Sequence, residues 1–73
     1  MDIKDFLKPG KDIVVEIEDV EYLLDDESVS CIEQNKKNIP LVELYDHQSY
    51  LFDIEVILRV LREGGVVDYL DKK

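Results

Sequence analysis

The sequence predicts an α+β fold: a small antiparallel sheet of three to four strands packed against one main C-terminal helix. Three observations carry this expectation. Residues 12–18 alternate strictly, with Ile13, Val15 and Ile17 on one side and Asp12, Val14, Glu16 and Glu18 on the other. Residues 53–63 place Ile54, Ile57, Leu58 and Leu61 at the i, i+3, i+4, i+7 spacing of one helical face, followed by Gly64 and Gly65 as a stop. Residues 28–34 and 39–45 flank Asn35-Lys36-Lys37-Asn38, a polar pair of asparagines suited to a hairpin turn.

The remaining elements follow in chain order. Residues 2–8 allow one or two helical turns, with Ile3, Phe6 and Leu7 on one side, before Pro9 and Gly10 end them. Residues 19–27 alternate through Val20, Tyr22 and Leu24 and read as a strand that pairs back on the first or continues it, although Asp19 could equally cap a helical turn. Pro40 lacks a backbone N–H, which places the 39–45 strand at a sheet edge or Pro40 at its beginning. Asp53 is the expected helix N-cap or first-turn acid, and Glu55–Arg59 and Arg59–Glu63 are four apart and able to pair. Val56 and Val60 extend the apolar surface beyond the core stripe, and a homodimer would bury them. Residues 66–70 suit a final strand or docked extension, and 71–73 should fray. The expected core is Ile13, Val15, Ile17, Ile57, Leu58 and Leu61.

With 73 residues the chain has material for a single domain spanning 1–73. One cysteine, Cys31, excludes an internal disulfide framework, and no apolar run approaches the roughly 20 residues of a membrane span, so a cytoplasmic protein is expected. Eighteen acids against nine bases give a formal charge of −9. That charge disfavours direct binding to nucleic acid or an anionic membrane and favours basic partners.

No residue pattern points to catalysis, a metal or a cofactor. His47, in Asp46-His47-Gln48-Ser49, offers the residue types of a hydrolase, but neighbours in one loop cannot take the required nucleophile, base and orienter positions. Asp25-Asp26-Glu27 lacks the alternating ligands and central glycine of a calcium loop, and the paired glycines follow a helix where a phosphate loop would precede one.

Charge segregation is the feature that remains. Residues 12–35 contain nine acids, Asp12, Glu16, Glu18, Asp19, Glu21, Asp25, Asp26, Glu27 and Glu33, and neither lysine nor arginine. Glu16 and Glu18, two apart on one strand face, are spaced about 6.7 Å, so one strand carries about half the charge density of a DNA strand. Tyr22, Leu23 and Leu24 interrupt the run with groups suited to a protein interface. The candidate partner-binding residues are therefore Glu16, Glu18, Glu21, Tyr22, Asp25, Asp26 and Glu27.

In this acidic run, in its size and in its lack of catalytic motifs, the chain resembles the small acidic proteins that bacteriophages make to disable host DNA-handling proteins by imitating DNA. Inhibitors of the DNA sliding clamp and of uracil-DNA glycosylase are similar in length and charge. The resemblance implies a non-catalytic inhibitor, acting in the host cytoplasm and docking on the basic DNA-binding surface of a clamp or repair enzyme. The alternative is an adaptor that binds a protein through its apolar helix surface.

Overall fold

The computed structural model describes residues 2–72. A 3₁₀ turn at Ile3–Phe6 leads into β1 (Lys11–Ile17), β2 (Val20–Leu24), α1 (Asp26–Glu33), β3 (Asn38–Glu43), β4 (Ser49–Asp53), α2 (Ile54–Arg62) and β5 (Val66–Asp71). The five strands form one antiparallel sheet in the order β4-β3-β2-β1-β5. The fold is α+β as expected, with five strands where three to four were expected. A second helix is present, and α2 is not the closing element because β5 follows it and pairs with β1.

Residues 28–34 are the main departure, since they form α1 and not a hairpin strand. Asp25 caps the helix by accepting the Ser28 backbone N–H at 3.0 Å, and Asp26 and Glu27 sit in the first turn, where the helix dipole favours acids. The exit is a Schellman motif: the Lys36 N–H donates to Cys31, the Asn35 N–H donates to Ile32, and Asn35 takes a φ of 56°. The asparagine has the conformational tolerance read from its sequence, but it ends a helix and does not turn a hairpin. Ser28 and Ile32, one turn apart, are buried beneath α1.

Pro40 lies inside β3, at a point where β2 has already stopped pairing. The pairing of β2 with β3 runs only through Tyr22–Glu43 and Leu23–Val42, and the Pro40 carbonyl instead accepts the Ser28 hydroxyl. A missing N–H on that side costs no ladder bond. β4 is the expected connection before the helix turned into a short edge strand, with Leu41 opposite Tyr50 and Ile39 opposite Phe52.

Both helices cover the same sheet face. Ile13 and Val15 of β1, Leu24, Ile39 and Leu41 pack there with Ile32 of α1 and with Ile54, Ile57 and Leu61 of α2. Ile17 and Leu58, expected in the core, are half-buried at its margin. Val56 and Val60 are also half-buried within the monomer, so the surplus apolar surface read on the helix is largely covered. The exposed apolar residues include Leu51 and Leu70, whose registers put them on the helix-free face.

The chain end is tied down. The Lys72 N–H donates to Gly10, and its ammonium pairs with Asp12 and Asp26, which raise its pKa, Asp26 first. Fraying expected from residue 71 is not found through Lys72, and Lys73 lies outside the described residues. Lys11 pairs with Asp71. The expected Glu55–Arg59 and Arg59–Glu63 pairs are not among the ion pairs of the described residues; Arg59 instead lines a groove with Glu16, Glu18 and Glu63.

α2 ends in a second Schellman motif, with Gly64 at a φ of 79° and the Gly65 N–H donating to Val60 at 2.8 Å. A Cβ at Gly65 would stand 2.2 Å from a Val60 methyl and 2.8 Å from the Val60 carbonyl oxygen. Gly65→Ala should therefore destabilise the protein by roughly 1–3 kcal/mol through overpacking. Urea denaturation checks this, with Gly10→Ala as a comparison that meets no atom within 4 Å and pays only for its positive φ.

Candidate functional site

The topology gathers one end of the sheet from three places in the chain. The β1–β2 turn at Glu18 and Asp19, the β3–β4 turn from Leu44 to Gln48, and the α2–β5 turn at Gly64 and Gly65 all lie there. At the other end stand Lys11, Lys36, Lys37 and Lys72, joined by Lys8 over the Tyr69 ring and by Lys4 beside Ile54 and Asn35. All the described lysines are thus remote from the hairpin end.

Glu16, Glu18, Asp19 and Glu21 crowd the tip of the β1–β2 hairpin. Glu16 is directly opposite Glu21 in the β1–β2 register, a like-charge pairing that weakens a sheet. Glu18 and Asp19 form the two-residue turn with φ values of 51° and 68°. Such a turn favours Asn-Gly, because a side chain at positive φ is strained. Among the described residues none of these four acids belongs to an ion pair.

The acidic run of the sequence is therefore two clusters and not one face. Asp25, Asp26 and Glu27 lie past the far end of β2, about 16 Å from the tip at about 3.3 Å per residue. Asp25 is spent on the cap of α1 and Asp26 on Lys72, while Glu27 is exposed in the first turn. Neutralising Asp25 would therefore weaken the start of α1 as well as remove a charge. Asp12 is likewise paired, with Lys72 at 3.0 Å.

Tyr22 is on the helix-covered face, where its ring meets Phe52 edge-on at 4.8 Å between centroids and Tyr50 at 6.2 Å. Beyond these rings an open groove of about 830 Å3 runs between the hairpin and the β3–β4 turn, lined by Glu16, Asp19, Glu21, Tyr22, Tyr45 and Tyr50 together with Glu43 and Asp46. Tyr45, Tyr50, Glu43 and Asp46 are additions that the sequence reading missed. Glu43, only 8% exposed, accepts the backbone N–H groups of Tyr45 and Asp46 at 2.7 Å each and so shapes the turn from below. Asp46 accepts the Gln48 N–H and the Tyr50 hydroxyl, and His47 occupies the turn at a φ of 60°. His47 thus has the loop position expected of it.

The groove perturbs its own titrating groups. The Tyr50 hydroxyl first, and then the Gln48 N–H, hold the Asp46 carboxyl below the usual range. The same hydrogen bond leads the causes that push the Tyr50 phenol up, while burial leads for Tyr22, followed by the charges of Glu43, Asp46 and Glu18. Among the described residues no group of three or more His, Cys, Asp or Glu side chains is placed to hold a metal ion. No helix of the described residues is long and apolar enough to cross a membrane.

Both tyrosines bind their proton more tightly when folded, so their contribution to stability is present below about pH 10 and is lost as pH rises through the raised values. Alkaline titration followed by near-ultraviolet absorbance and ring NMR should find Tyr22 and Tyr50 ionising above the ordinary phenol range. In Asp46→Asn, Tyr50 should return toward that range while Tyr22, raised first by burial, stays high; an unmoved Tyr50 would refute the hydrogen bond as the leading cause. No family model, no curated protein and no solved structure matches this chain.

Proposed function

We propose that the protein is a non-catalytic inhibitor or regulator whose acidic hairpin end docks on the basic, DNA-binding surface of another protein, in the manner of a DNA mimic. The observation that carries this reading is that the hairpin tip is composed against its own stability. A Glu–Glu pair in direct register and a Glu-Asp turn at positive φ each weaken the hairpin, and neither is compensated by an ion pair among the described residues. Local rules broken without a local gain mark sites kept for another purpose.

The geometry supplies what a single strand could not. Adjacent strands bring the Glu16 and Glu21 side chains within about 5 Å at Cβ, so the density of charge at the tip exceeds that of either strand alone. The described lysines are held at the far end and Arg59, in the groove beside Glu16 and Glu18, forms no ion pair with these acids among the described residues, so the acidic surplus at the tip would steer a basic groove toward it. A clamp or DNA repair enzyme of a phage host is the partner class that the acidity suggests, with no direct contact to nucleic acid.

The adaptor reading rests on a different place from the one first considered. Leu51 is 70% exposed on the helix-free face, with Leu70 on the same face, whereas Val56 and Val60 are already half-buried, so a homodimer built on those valines gains less than the sequence suggests. Salt separates the two readings, because only the charged interface weakens steeply as salt rises.

A variant carrying Glu16→Gln, Glu18→Asn, Asp19→Gly and Glu21→Gln should melt higher than the parent, by roughly 1–2 kcal/mol in stability from the relieved turn strain and like-charge pair. It should lose at least about tenfold in affinity for basic DNA-binding proteins, judged from about 1 kcal/mol or more for several charge-assisted contacts. Thermal melts and binding to sliding clamp and uracil-DNA glycosylase, with duplex DNA as competitor at low and high salt, provide the check. Parent-like binding by the neutralised chain at low salt would rule out the tip as the docking face.

A further inference from the structure

The groove beside the hairpin holds aromatic surface as well as charge. Tyr45 is 92% exposed and its hydroxyl has no hydrogen-bond partner among the described residues. A ring so placed gains nothing for the fold, yet it stands at the wall of a groove whose opposite side is Glu16, Asp19 and Glu21. Those three carboxylates make no side-chain hydrogen bond among the described residues, while Glu43 and Asp46 beneath them are already occupied by backbone N–H groups and by Tyr50. Free acceptors and a free ring thus border the same open groove.

This combination selects among ligands. Phosphates and nucleic acid are repelled by the carboxylates, and an inorganic cation lacks a cluster of three placed ligands among the described residues. An organic cation with a flat face satisfies both walls, since its plane can lie on a tyrosine ring while its N–H groups reach carboxylates. Arginine fits better than lysine, because guanidinium is planar, weakly hydrated and forked to match a carboxylate, whereas ammonium is a strongly hydrated point charge. We infer that the groove receives an arginine side chain of a protein partner, stacked on Tyr45 and hydrogen-bonded to the carboxylates of the hairpin. The inference rests on the reading that the acidic end meets a basic protein, and it names the residue that end grips.

The test uses the full chain labelled with 15N and titrated with a blocked Gly-Arg-Gly peptide, with matched peptides carrying lysine or the neutral isostere citrulline at the centre. Shifts should concentrate at Asp19, Glu21, Tyr22, Tyr45 and Asp46, be stronger for arginine than for lysine, and vanish for citrulline. Tyr45→Ala, which removes an exposed ring and should leave the melt unchanged, should weaken the arginine peptide about two- to fivefold, as expected for an exposed cation–π contact. It should also erase the preference over lysine, and Tyr45→Phe should restore both. Equal binding of citrulline, shifts spread evenly over acids at both ends of the sheet, or a Tyr45→Ala protein that binds like the parent would each overturn the inference. If the arginine peptide fails while neutralising the hairpin still abolishes capture of a DNA-binding protein, the arginine site is wrong and the docking proposal survives. If the peptide binds as described and no DNA-binding protein is captured, the arginine site stands and the docking proposal falls.

Discussion

The structure depends on keeping β1 dry. Ile13, Val14 and Val15 are each at most 1% exposed, a run of three residues that must be covered on both faces of the sheet at once. On one face Ile13 and Val15 meet both helices. On the other, Val14 stands in register between Leu23 of β2 and Asp68 of β5, so its cover depends on both neighbouring strands being present. β5 is made last and pairs with the first strand, which brings the two ends of the chain together through Lys11–Asp71 and through the Tyr69 hydroxyl on the Phe6 carbonyl at 2.8 Å. A domain this small has few apolar residues to spare, and long-range closure is how it covers its central strand.

That economy explains where the charge is allowed to go. At the lysine end four acids are answered, Asp12 and Asp26 by Lys72, Asp71 by Lys11, and Asp25 by the backbone N–H and hydroxyl of Ser28, while Glu27 is exposed. At the hairpin end the buried Glu43 is satisfied by two backbone donors and Asp46 by the Gln48 N–H and the Tyr50 hydroxyl, while Glu16, Glu18, Asp19 and Glu21 are left to solvent. The same total charge could have been spread as evenly paired surface. Four of the eighteen acids, Glu16, Glu18, Asp19 and Glu21, stand instead unpaired at or beside a two-residue turn, the place where side chains are least constrained by the core and where a cost in local stability is least dangerous to the whole.

Much of this was legible where one periodicity was unopposed. β1 and α2 fell where alternation and the i, i+3, i+4, i+7 spacing put them, because both are bounded by strong breakers, Pro9-Gly10 and Gly64-Gly65. α1 was misread because Ser28, Ser30 and Ile32 alternate with Val29 and Cys31 in a way that fits a strand, and Asp25-Asp26-Glu27 was weighed as charge when it was helix-start chemistry. β4 is five residues long, with Tyr50 and Phe52 on the core side, too short to stand out beside a polar turn. The acidic tip was found from composition, yet the groove was not, since Tyr45 and Tyr50 are brought to it by a turn that Glu43 organises from the interior. A carboxylate serving as a turn template leaves no mark in a linear pattern, although an acid two and three residues ahead of the N–H groups it accepts is a spacing that could be searched for.

The distribution of lysines makes the two ends of the sheet unlike in how their carboxylates are held. The described lysines stand at one end of the sheet, where Lys11 and Lys72 are engaged in ion pairs, whereas Glu16, Glu18, Asp19 and Glu21 at the other end belong to none, with Arg59 lining the groove beside Glu16 and Glu18. A basic surface that approaches the lysine end has to break those ion pairs to reach Asp12, Asp26 or Asp71, whereas at the hairpin end it meets carboxylates that are in no ion pair. Orientation is ordinarily the slow part of a protein encounter, because most collisions present the wrong faces. In a body whose two ends differ in this way, the faces that a basic surface meets are not equivalent, and the one free of ion pairs asks for no rearrangement.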